Sequence, residues 1–252
     1  MTELAALPTT HDEDWRYADP AALDALVPAD LDVWHEVTLA PGETRAKALA
    51  LDDQYAGIHR VRMTLGDGAR AEIFAIASAS AYTRLEVEVR LGRGAHFEFG
   101  GVTIGGGDAT REFVTRVDHA EPEASSHQVV RAVHWGRATG NFLGRIEVAR
   151  DAQKTDAAQN FKAILLEKGA AANAKPELEI FADDVKCAHG AAIGALDATE
   201  AFYMAARGIP PEVAKKLLVR AFIADAFAGV VDEILRDELL EKAVGALDGE
   251  VL

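Results

Sequence analysis

Cysteine is nearly missing from this chain: Cys187 is the single one in 252 residues. That excludes an internal disulfide framework and a structural zinc site built from several thiolates. Basic residues are scarce too. Against 41 Asp and Glu stand 26 Lys and Arg, a formal net charge of −15, and no basic arm offsets the acidity. Such a surface repels polyanions, so neither a nucleic-acid partner nor an anionic membrane surface is expected. No apolar run approaches the roughly 20 residues that span a bilayer. The opening stretch MTELAALPTTHDEDW lacks the basic-then-apolar order of a secretory leader, and the expected compartment is the cytoplasm.

Familiar catalytic signatures are also missing. The chain has no G-x-x-x-x-G-K-[ST], so no nucleotide is expected to bind it, and it has neither H-E-x-x-H nor G-x-S-x-G. The glycines from Gly100 to Gly107 lack the strand–turn–helix setting of a dinucleotide fold.

What the chain has in quantity is alternation. Leu85 to Leu91 switches between apolar and charged residues without error, and Val61, Met63 and Leu65 alternate with Arg60, Arg62 and Thr64. Ala95–Phe99, Val129–Trp135 and, more loosely, Phe142–Val148 repeat the pattern of strands with one buried face. Turns are expected at Gly66-Asp67-Gly68, Gly92, Gly105-Gly106-Gly107 and Gly140-Asn141. With no helix between the strands, a doubly wound sheet is excluded, and a sandwich, a barrel or a parallel β-helix remains. The organisation reads as an N-terminal segment over 1–30 broken by prolines, a β region over 31–190 and a helical region over 191–252.

Beyond His189 the pattern turns helical. Asp197 and Glu200 form a capping-box pair, Gly208 ends that helix, and Pro210-Pro211-Glu212 starts the next. Val213, Leu217, Ala221 and Ala224, widened by Leu218 and Phe222, make its expected apolar stripe, and Leu235, Leu239, Leu240 and Val244 make that of a third helix. These helices either cap the open end of the β region or present a surface to another protein.

Among titratable residues, His119, His127 and His134 are spaced so that successive coils can bring them together, although surface positions explain them as well. Asp183-Asp184 offers a weak calcium motif. The informative pair is Cys187 and His189, which share one side of a strand at i, i+2. Thiolate and imidazole together can ligate zinc or iron, or form an activated nucleophile, or be a buried cysteine beside a hydrogen-bonded histidine. Because an iron–sulfur cluster takes four protein ligands, a cluster at this pair needs another chain to complete it.

The run from Pro176 through Asp183-Asp184-Val185-Lys186-Cys187-Ala188-His189-Gly190 to Gly194 resembles the signature of the SufB/SufD family, scaffold subunits of the SUF iron–sulfur cluster assembly system. Phe202-Tyr203-Met204, Arg207-Gly208-Ile209, Asn141–Ile146, Gln153–Ala157, Gln159-Asn160 and Glu13–Tyr17 are similar to other family motifs. The Cys-x-His-Gly form points to the SufD-like branch. The resemblance implies a right-handed parallel β-helix followed by a small helical domain. It also implies a SufB-like partner, a SufC-like ABC-type ATPase docking on the C-terminal helices, and a non-catalytic role. A transient cluster would be shared at the scaffold interface, with Cys187 and His189 as its ligands from this chain. Leu217 and Phe222, supported by Phe202 and Tyr203, are the expected ATPase contacts, and a homodimer of the isolated chain is left open. The chain is short for the family, most of the region between the Trp-Arg-Tyr motif and the β-helix being absent. A β-helical polysaccharide lyase is the alternative.

Overall fold

The computed structural model describes residues 7–51, 57–78 and 80–247. Residues 1–6, part of the stretch read for a leader, lie outside them. Two short helices, α1 (Pro20–Asp24) and α2 (Pro28–Leu31), precede the strands β1 (His35–Leu39), β2 (Thr44–Leu51), β3 (Gly57–Leu65), β4 (Arg70–Ala77), β5 (Tyr82–Leu91) and β6 (His96–Gly105). The strands continue as β7 (Thr110–His119), β8 (Ser125–His134), β9 (Thr139–Val148), β10 (Asp156–Leu165), β11 (Ala171–Ile180) and β12 (Lys186–Gly194). Helices α3 (Ala198–Ala206), α4 (Pro211–Ala224) and α5 (Glu233–Gly245) follow.

Odd strands form one six-stranded sheet and even strands the other, and every pair is parallel and in register. The chain therefore winds as a parallel β-helix, each coil giving one strand to each sheet. A coil takes 26 residues where Arg62 meets Glu88 and 32 where Asn141 meets Asn173.

Inward residues of both sheets make the main core, including Leu85, Val87, Phe97, Phe99, Phe113, Phe142 and Phe161, and Ile146, Val148 and Ala157 make a smaller cluster near its C-terminal end. Strand β4 escapes the alternation test because Ile73 and Ala75 face inward while Phe74 and Ile76, on the opposite side, are buried under the C-terminal helices. A strand covered on both faces reads as a solid apolar run. Gly140-Asn141 is not a turn: both residues lie within β9. Gly140 is required there because a Cβ would stand 2.2 Å from His134 Nε2, and Asn141 is buried, donating to Tyr17 O and Glu112 Oε1, both at 2.9 Å.

The outer face of the odd sheet carries a ladder of ion pairs. Arg60 meets Glu86 at 2.7 Å, Arg62 meets Glu88 at 2.8 Å, and Arg84 meets Glu86 at 2.6 Å and Glu112 at 3.1 Å. The Glu13–Tyr17 motif closes over this ladder as a strap. Trp15 lies 3.7 Å from the Arg84 guanidinium, and Arg116 reaches Asp14 at 2.6 Å.

The C-terminal helices do not cap the end of the β-helix. They lie along its flank, on the outer face of the even sheet, where Val219, Ile223, Phe227, Leu239 and Leu240 cover Phe74, Ile76, Val102, Ile104 and Val133. Arg131 anchors the arrangement through Asp225, Nε to Oδ2 at 3.0 Å. The approach is closest at Gly100, where a Cβ would fall 2.1 Å from Ala226 O and 2.7 Å from the Phe74 ring. Gly100→Ala is therefore expected to cost about 1–3 kcal/mol and to increase amide exchange in α4 and α5, while Gly245→Ala, whose Cβ meets nothing within 4 Å, leaves both unchanged. Equal exchange in the two variants would contradict this packing.

The buried side of α4 also differs from the expected stripe. Val219 and Ile223 face the sheet and Ala214 is buried, whereas Val213 and Leu217 are each 46% exposed. The helix has apolar residues on two sides, so periodicity alone could not choose between them. Asp197 caps α3 as expected, accepting from Thr199 N at 2.7 Å and Glu200 N at 3.3 Å, and Gly208 adopts φ +80° just beyond its end.

Candidate functional site

Cys187 and His189 lie on β12, the terminal strand of the even sheet. Their register partners on β10 are Ala157 and Gln159, whose own partners on β8 are Ser126 and Gln128. This column is the inward one, so both side chains point along the inner face of the last coil. Among the described residues no strand pairs beyond β11 or β12, and this end of the core is open: His189 is exposed, as are Ile180, Phe181 and Ile193.

The two residues differ in setting. Cys187 is half-buried against the small cluster of Ile146, Val148, Ala157 and Ala182. Burial, assisted by the carboxylate of Asp156, pushes its thiol pKa up, and a backbone hydrogen bond with Ala157 opposes this only in part. An unassisted thiolate nucleophile is thus disfavoured, since the anion is the reactive form. A metal ion would supply the missing positive charge and displace the proton. Behind His189, Gln159 is buried and fixed, donating to Gly144 O at 3.2 Å and Glu177 O at 3.1 Å. Gly144 leaves room for it, since a Cβ would stand 2.0 Å from Gln159 Oε1.

The histidines at 119, 127 and 134 do not converge. His119 and His134 end strands in different sheets and are buried, with Nε2 2.9 Å from Ser126 Oγ and 3.0 Å from Thr103 Oγ1 respectively. His127 lies instead beside Glu98, a residue that sequence reasoning did not single out. Asp184 is ion-paired with Lys154 at the surface.

The remaining site residues are on the helices. Phe202 is 74% and Tyr203 58% exposed on α3, and Val213 and Leu217 are exposed on α4, the helix that α3 packs against. Arg207 holds the Tyr203 hydroxyl at 2.7 Å and lies 4.8 Å from its ring centre. Phe222 is different: it is half-buried and packs against the cluster beneath α4, 5.8 Å from the Arg131 guanidinium. It supports the helix rather than facing outward with Leu217.

Residues 45–222 match the family described as SUF system FeS cluster assembly, SufBD core domain. The chain belongs to the SufB/SufD family. It resembles the SufD branch, which displaces the polysaccharide-lyase alternative. The iron-sulfur cluster assembly protein SufD of Escherichia coli (strain K12) is 37% identical over 138 residues, 55% of this chain and 31% of that protein. SufD of Bacillus subtilis (strain 168) is 28% identical over 160 residues, 64% of this chain and 36% of that protein. A SufBD family protein of Mycobacterium leprae (strain TN) is 26% identical over 196 residues, 74% of this chain and 49% of that protein. The aligned stretch thus covers a third to a half of these relatives. The family motifs now have structural roles. Asn141 and Gln159 are buried hydrogen-bonding residues, and Gln153 Oε1 accepts from Asp184 N at 2.9 Å, fixing the turn before β12. Among the described residues no helix is long and apolar enough to cross a membrane.

Proposed function

We propose that this chain is a SufD-like, non-catalytic scaffold subunit in iron–sulfur cluster assembly, working in the cytoplasm. Its open last coil would meet a SufB-like chain, and its helices would receive a SufC-like ABC-type ATPase. The observation that carries the reading is the position of Cys187 and His189, together on the inner face of an uncovered terminal coil. Two ligands at an exposed end form half of a cluster site, and a partner that extends either sheet would bring the other half. The cluster is cargo, held in passage between the two chains.

The exposed apolar residues Phe202, Tyr203, Val213 and Leu217 suit a partner surface of the kind that anchors protein interfaces. Because α4 is packed on the even sheet and tied to it by Arg131–Asp225, force applied by the ATPase would pass directly into the β-helix.

Anaerobic reconstitution with SufB-like and SufC-like subunits tests the proposal. The wild-type chain is expected to form a complex that takes up a cluster. Cys187→Ser with His189→Ala should preserve the complex and lower cluster yield at least tenfold, whereas Leu217→Asp with Phe202→Asp should release the ATPase and leave the scaffold pair intact. Absence of a complex with either partner, or unchanged cluster yield in the Cys187/His189 variant, overturns the assignment.

A further inference from the structure

A second group of metal-ligating side chains lies on the outer face of the even sheet, away from Cys187 and His189. His96 and Glu98 are at i, i+2 on β6, and Glu98 is directly in register with His127 on β8. The ligand atoms of the three residues all lie within 4.8 Å of one another. His96 Nε2 and His127 Nδ1 stand 3.4 and 3.8 Å from Glu98 Oε2, and the two imidazoles meet edge to face with centres 5.8 Å apart. We propose that His96, Glu98 and His127 form a binding site for a first-row divalent metal ion such as Zn2+ or Fe2+.

Three features beyond proximity support a built site. First, His96 is oriented from behind. Its Nδ1 lies 2.8 Å from Ser125 Oγ, which is the outer-shell contact that fixes the ring and turns the other nitrogen toward a metal. That Nε2 is shielded from solvent and makes no hydrogen bond. Secondly, the carboxylate is confined. A Cβ at position 229 would fall 2.6 Å from Glu98 Oε1, so Gly229, in the turn between α4 and α5, leaves just enough space for it. Thirdly, Arg70, the cation in register with His96, is paired with Glu72 at 2.6 Å.

The donor set selects the ion class. Two imidazoles and one carboxylate suit zinc or ferrous iron, whereas calcium and magnesium prefer all-oxygen shells. Bond lengths of about 2.0–2.2 Å require the ligands to close around the ion. His127 can supply the movement, because its side chain is 47% exposed. Its exposed side also leaves a coordination position open to water or an external ligand. Glu98 touches the turn after α4, so an ion here would lie where the C-terminal helices meet the sheet.

The test uses the untagged, chelator-treated full chain carrying Cys187→Ser and His189→Ala, so that no other assigned ligands contribute. Titration with Co2+, read by its visible d–d absorption, followed by displacement with Zn2+, is expected to show one ion per chain. Zn2+ should also raise the thermal midpoint, because it binds the folded state. Glu98→Gln and His127→Ala should each weaken binding at least tenfold without altering the metal-free midpoint, and Ser125→Ala should weaken it about 10- to 100-fold. Absence of one-to-one uptake at about 100 µM ion, or equal affinity in Glu98→Gln, His127→Ala and their parent, overturns the proposal.

Discussion

Arg84→Met is expected to destabilise the chain by about 3–5 kcal/mol, the usual cost of stripping the partner from buried charges. The Arg84 and Glu112 side chains are fully buried and Glu86 nearly so. The guanidinium also donates to Asp14 O at 2.9 Å beneath the Trp15 ring. Glu112 additionally accepts from the Tyr82 hydroxyl at 2.7 Å and from Asn141. Without Arg84, the buried Glu112 carboxylate is left without a cation, Glu86 keeps only Arg60, and the N-terminal strap loses one of its anchors. Urea denaturation at pH 7.5 measures the loss. Adding Glu112→Gln to Arg84→Met should recover part of it, because the uncompensated charge is then gone. A change below about 1 kcal/mol in the single variant would mean that the network is not structural.

Acidification from pH 7.5 to 5 is expected to remove about 2 kcal/mol of stability for each of His119 and His134. Burial lowers the His119 pKa from 6.5 to about 4, and burial together with the nearby Arg111 charge lowers that of His134 to about 3. Both imidazoles are therefore neutral in the fold at pH 5. In the unfolded chain they protonate below about pH 6.5. The unfolded state then binds more protons, so stability falls with pH across the window from 6.5 down to 4 for His119 and to 3 for His134. At pH 5 the gap is 1.5 units per group, at about 1.36 kcal/mol per unit. Urea midpoints at the two pH values should converge in His119→Gln and His134→Gln relative to the parent. An unchanged pH dependence in both variants would show that other groups carry it.

Much of the β region is legible because its pattern is local. The alternation at Leu85–Leu91 and Val61–Leu65 requires only that one face be dry, and the structure places those residues in β5 and β3 as read. Strand β4 was not legible, because helices from more than a hundred residues later cover its outer face. For the same reason the two-sided apolar pattern of α4 did not reveal which side would be buried. Gly140 imitates a turn glycine, yet it is selected by the approach of the His134 side chain from the end of the preceding strand. At the candidate site, the shared direction of Cys187 and His189 follows from strand periodicity. Their place at an open end does not, since it depends on the helices docking along the flank.

From residue order alone come the mainly parallel β character with helices after it, the family, and the pairing of one thiol with one imidazole on a strand. Each follows from spacings of a few residues or from a contiguous motif. Folding alone decided which coils meet. His96 and Glu98 are two residues apart, but His127 joins them only because the coil between β6 and β8 returns Ser125 to His96 after 29 residues. That length is the sum of two strands and two turns, and it varies from coil to coil, so no fixed spacing announces it. The lone cysteine excluded a thiolate-rich site. It left open a site of histidine and glutamate, whose members become neighbours when the coils stack.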